Sequence, residues 1–122
     1  MRLRWRSSAP RAVMLAELVQ ALARLNARLV SGGSIPPLYR SGVRYRRERG
    51  REEWRDAPEV ARSGYGDCED LAAYRVGELL AAGEAARAHV YRAAPGLWHV
   101  VVKRADGSIE DPSRQLGMKG AG

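Results

Sequence analysis

The sequence contains no phenylalanine, a single cysteine and only two histidines. One cysteine excludes an intrachain disulfide, so nothing in the chain points to an oxidising compartment. One cysteine with His89 and His99 also lacks the spacing of a zinc site. Long apolar runs are missing as well: no stretch approaches the roughly 20 residues of a membrane span. The opening "MRLRWRSSAPRAVMLAELVQALARL" has the basic start of a secretion signal, but Glu17, Gln20 and Arg24 interrupt its apolar run and no small-residue cleavage site follows. The expectation is a chain with no signal peptide and no membrane contact. Acidic residues are also in deficit, 14 against 21 basic ones, leaving a net charge of +7. That balance favours non-specific contact with polyanions. The densest basic stretch, "RYRRERGRE" at 44–52, is diluted by Glu48, Glu52 and Glu53, and reads as a solvated connector rather than a surface that reads nucleic acid.

The 122 residues present are enough for one domain with a real core, 1–122. Leu15, Leu18, Leu22, Leu25 and Leu29 recur at steps of three and four, predicting a long N-terminal helix over about 10–30 whose leucine stripe covers the core. Pro10 suits its first turn, and Gly32-Gly33 ends it. An irregular connection follows, with a short strand at Val43 and Tyr45. "WRDAPEVARSG" then predicts a short helix capped by Asp56 and stopped by Gly64. A second main helix runs from Cys68 to Ala82, burying Leu71, Ala72, Val76, Leu79 and Leu80. The period then changes: "ARAHVYRA", "LWHVVVKR" and "SIEDPS" are strand-like runs separated by turns. Helices first and an antiparallel sheet after them make an α+β chain. The tail "GMKGAG" is expected to fray.

Cys68 lies in "GYGDCEDLAAYR". Asp67 is a good N-cap and Asp70 completes a capping box, which puts the thiol in the first turn of a helix. There, free N–H groups and the helix dipole favour a thiolate and could serve as part of an oxyanion hole. Gly64 and Gly66 keep the approach open for a substrate backbone. Of the two candidate bases, His99 is preferred because "WHVVV" sets it on a strong strand with an acid on the strand that follows. His89 has no such follower and reads as a plain sheet histidine. Asp111 is the orienting acid on one condition. A two-residue Asp106-Gly107 turn would put it on the face opposite His99. A three-residue loop with Gly107 left-handed would pair Val101 with Asp111 and bring the acid to the imidazole's face. Asp67, Glu69 and Asp70 oppose ionisation of the thiol unless they turn into caps and arginine contacts, or a cation lies among them.

Taken together, "W…P.E…G.GDCEDLA", "WHVVV" and "EDPS", spanning Trp54 to Arg114, resemble the transglutaminase-like cysteine protease superfamily. The resemblance implies a papain-like, transglutaminase-like core over about 54–114, with a nucleophile helix packed on a small antiparallel sheet. It implies Cys68 as nucleophile, His99 as general base and Asp111 as orienting acid. Trp54, Gly66 and Trp98 would support the motif or line a substrate cleft. It implies no required cofactor, although Asp67 and Glu69 match acids that one branch uses for calcium. The compact form is similar to short members from phage and prophage clusters, so the expected location is cytoplasmic or virion-associated.

Four functions follow as expectations. The first is a cysteine peptidase or amidase acting on a protein or peptide. The second is a transglutaminase-type crosslinker, with an amine in place of water. The third is a non-catalytic virion or structural adaptor that contacts other phage proteins through the leucine-striped helix and keeps a relic triad. A basic nucleic-acid binder ranks last.

Overall fold

A computed structural model describes residues 8–47 and 53–119. The first seven residues of the segment read above for a signal, and part of the basic connector, lie outside those residues.

The helices form where caps and periodicity direct them. α1 spans Ser8–Ser31. α2, Ala57–Ser63, has Asp56 as its N-cap, with the carboxylate accepting from Glu59 N–H at 3.1 Å, and ends on left-handed Gly64. α3, Cys68–Ala81, starts at Asp67 with the capping box in place. The strands are β1 (Arg44–Tyr45), β2 (Tyr65–Gly66), β3 (Arg87–Ala94), β4 (Leu97–Lys103) and β5 (Ile109–Glu110). β3, β4 and β5 form an antiparallel sheet in that order, and α3 packs on β4 through Ala72, Val76, Val100 and Val102. The architecture is α+β.

Three features were not anticipated. β1 and β2 pair in parallel, so residues before and after α2 lie side by side just ahead of the thiol. A short helix, α4 (Pro112–Gln115), follows β5 directly, capped by Asp111. The chain beyond α4 does not fray at once: Met118 is buried and its N–H donates to the Ser113 carbonyl at 2.8 Å.

The leucine stripe is corrected by the packing. Leu25 is exposed and the other four leucines are only partly buried, whereas Val19, Ala23 and Asn26 are fully buried. The reason is the closeness of α1 and α3. A Cβ added at Gly77 would lie 2.6 Å from Asn26 Cβ and 3.0 Å from the Ala23 carbonyl oxygen. Helices that approach this closely need small residues at the seam, and leucines flank it. α3 is correspondingly buried on more than one face, with Ala73 and Tyr74 inside beside the anticipated Leu71 and Leu79, while Leu80 is only partly covered. Gly77→Ala is therefore expected to destabilise the fold by about 1–3 kcal/mol, since overpacking at backbone contact cannot relax by a rotamer change. Urea denaturation would measure it, and an unchanged midpoint would show that the seam yields.

Candidate active site

The β4–β5 hairpin settles the position of Asp111. Gly107 N–H donates to the Arg104 carbonyl at 2.9 Å and Arg104 N–H to the Ser108 carbonyl at 2.8 Å, with Gly107 at φ 89°. Val102 then faces Glu110 and Lys103 faces Ile109. Continued by one step, this register sets Asp111 beside Val101, on the face His99 occupies. This is the three-residue loop. His99 Nε2 and Asp111 Oδ2 are 2.9 Å apart, and His99 is only 1% exposed. With Nε2 held by the carboxylate, Nδ1 is the ring nitrogen left to exchange a proton with a nucleophile.

Several contacts hold this pair. Asp111 also caps α4, its Oδ1 accepting from Arg114 N–H at 3.2 Å. Glu110, next in the chain, is clamped by Arg75 of α3 at 2.6 Å and by Arg104 at 2.9 Å, so β5 is tied to α3. Tyr91, opposite His99 on β3, meets the imidazole edge to face with centroids 5.5 Å apart. His89 is exposed and faces Val101, as a plain sheet histidine would.

Cys68 is at the first position of α3, and the α3–β4 packing brings it to the β4 backbone. The Val100 N–H, one residue from His99, hydrogen-bonds to the sulfur. The thiol itself donates to Glu69 Oε2 at 3.2 Å. An imidazole hydrogen bond is not among those the sulfur makes with the described residues. Cys68 is 8% exposed. Burial, followed by the charges of Glu69 and Asp67, pushes the thiol well above its ordinary pKa, and the Val100 N–H opposes them. Burial and the neighbouring Asp67 push the Glu69 carboxyl up to about 8. The resting site thus holds a neutral thiol on an adjacent carboxyl group, not the dipole-stabilised thiolate the helix position suggested.

The three acids divide their work. Asp70, fully buried, accepts from Arg55 N–H at 3.2 Å, from the Arg55 guanidinium at 3.3 Å and from Asp67 N–H at 3.3 Å. Asp67 accepts from Cys68 N–H at 2.7 Å and from the Asp70 N–H. These two turn into caps and an arginine contact. Glu69 faces the sulfur instead. Because Asp67 already occupies the Cys68 and Asp70 N–H groups, those donors do not form an open oxyanion hole.

No protein-family model, curated protein or solved structure matches the chain. Ligand-type atoms of Asp67, Cys68 and Glu69 lie within 4.8 Å of one another. Calcium takes six to eight hard oxygens, whereas here two carboxylates already accepting hydrogen bonds stand with a sulfur, a donor set that does not fit that ion.

Gly66 is buried, and a Cβ there would meet Leu71 Cδ2 at 2.9 Å. Its smallness lets the chain pass tightly over the start of α3. Trp54 is half-buried against the core cluster that contains Cys68. Trp98 is half-buried, with its indole N–H enclosed and unpaired among the described residues. Arg55 was missed from sequence. Its guanidinium stacks over the Tyr65 ring at 4.3 Å while it binds Asp70, and a lone arginine among so many carried no signal of burial. Among the described residues, no helix is long and apolar enough to cross a membrane.

Proposed function

We propose that this chain is a thiol-dependent acyl-transfer enzyme on a papain-like core, hydrolysing an amide bond in a protein or peptide with Cys68, His99 and Asp111. The observation that carries the reading is the His99–Asp111 contact of 2.9 Å, made on the strand whose next N–H meets the Cys68 sulfur. A buried imidazole with one nitrogen fixed on a carboxylate is the arrangement a thiol base requires.

In this mechanism the Cys68 proton passes to His99 Nδ1 as the sulfur attacks the amide carbonyl. Asp111 holds the Nε2–H and favours the imidazolium. Collapse of the tetrahedral adduct breaks the C–N bond, and the imidazolium proton leaves with the amine. Water, deprotonated by His99, then attacks the thioester, releasing the carboxylic acid and restoring the thiol. Turnover requires the Cys68 side chain to leave Glu69, so substrate entry is the natural trigger.

One observation favours the adaptor reading instead: burial, and then the neighbouring Glu69, keep the thiol neutral. Alkylation separates the two. Wild-type Cys68 is expected to react with iodoacetamide at pH 7.5 at least tenfold faster than the His99→Ala variant, measured by intact mass. Equal, slow rates would support the relic. A fluorescent primary amine, offered with acylated enzyme, distinguishes crosslinking from hydrolysis by whether it appears in product.

A further inference from the structure

β3 is an edge strand, and its outer side carries a half-built hydrogen-bond ladder. The Gln20 side-chain amide, from α1, accepts from Ala88 N–H at 2.8 Å and donates to the Ala86 carbonyl at 3.3 Å. This is the pair of bonds that the N–H and C=O of one residue in an added parallel strand would make. It also fixes which groups point outward: since Ala88 N–H faces away from β4, so do the N–H and C=O of Val90 and Arg92. Among the described residues, no backbone hydrogen bond takes those groups. Alongside them runs a groove of about 280 Å³ between β3 and α1, walled by Ala12, Val13, Ala16 and Val90, with Val13 64% exposed.

The two faces at this edge differ in chemistry. Ala88 and Val90 point towards α1 and the core, so the α1 side offers apolar wall, with Glu17 the acid among the groove residues. Arg87, His89 and Tyr91 lie on the other face, all exposed. A strand added here would place alternate side chains against aliphatic carbon and against Arg87 and His89.

We infer that the β3 edge from Ala88 to Arg92 is a docking site for an extended polypeptide segment whose residues alternate acidic and apolar. Gln20 occupies the first station of the ladder and sets the register for the incoming chain. The site lies on the opposite side of β4 from Cys68, and it stands independently of the catalytic reading.

The test uses the full chain and two blocked peptides, Ac-Glu-Val-Glu-Val-Glu-NH2 and Ac-Lys-Val-Lys-Val-Lys-NH2, followed by NMR. The glutamate peptide is expected to bind at least tenfold more tightly and to slow amide exchange at Val90 and Arg92 at least tenfold. Arg87→Glu should abolish that preference. Val90→Pro should abolish binding, because it removes an outward donor while leaving the bonds to β4. If Val90→Pro does not fold, Arg87→Glu carries the test alone. Equal affinity for both peptides, or binding that leaves the Val90 and Arg92 amides unprotected, would overturn the proposal. So would amides already protected before peptide is added, whether by a second copy or by the chain's own first residues.

Discussion

Glu69→Gln is expected to make Cys68 alkylate about tenfold faster near pH 8 and to flatten the pH dependence of stability. The carboxyl is both the acceptor for the thiol proton and, when ionised, the neighbouring charge that raises the thiol's pKa most. Glutamine removes that charge and offers an N–H to the sulfur, which favours the thiolate. One pKa unit corresponds to about a tenfold change in thiolate fraction at a pH below the pKa. Burial is the larger cause and persists in the variant, so the thiol should not become fully activated.

The stability effect has a definite sign. The Glu69 pKa rises from its ordinary 4.5 to about 8 on folding, so the folded state binds that proton more tightly than the unfolded chain. The resulting contribution is fully present below about pH 4.5 and is lost as pH rises through about 8. The wild-type protein should therefore lose on the order of 5 kcal/mol across this window through this group, and the glutamine variant should not. Urea denaturation at pH 5, 7 and 9 measures both chains. Parallel pH profiles would show that Glu69 is solvated in solution.

Asp70→Ala is expected to cost about 3–5 kcal/mol, because it strands the buried Arg55 guanidinium. Asp70 is fully buried and Arg55 is 9% exposed, so neither charge can readily return to water. For a chain of this size the loss corresponds to a melting temperature lower by about 10–20 °C. The paired replacement Asp70→Leu with Arg55→Met should cost less than Asp70→Ala alone, since no charge is then left unpaired. Calorimetry of the three proteins decides this. A single variant no worse than the double would mean that water reaches Arg55. The Asp67 cap depends on the same carboxylate, so Cys68 labelling should change along with stability.

The contacts that act over a few residues were legible from sequence. Asp56, Asp67 and Gly64 announce helix ends because a short carboxylate or a missing Cβ satisfies terminal backbone groups locally. The hairpin could be narrowed to two registers, and only one placed Asp111 with His99, because a shift of one residue inverts the face of every side chain on a strand. Contacts between distant elements were not legible. The leucines of α1 have the right spacing for a buried face, yet Val19, Ala23 and Asn26 take it, because the closeness of Gly77 favours small residues over large ones. The parallel pairing of Arg44–Tyr45 with Tyr65–Gly66 brings together segments some twenty residues apart, and no local pattern encodes it.

Local pattern is enough to set the thiol in a helix's first turn and His99 on its strand, and it leaves Asp111 two registers, between which the folded hairpin chooses. These follow from capping groups, side-chain alternation and a loop glycine, all of which act over short spans of chain. Tertiary structure alone decided that Glu69 turns to the sulfur, that Arg55 is buried on Asp70, and that α1 meets α3 through its small residues. Each of these depends on which surfaces lose water when helix and sheet close together. The cost of burying a charge or a bulky side chain is set by neighbours that sequence spacing does not specify.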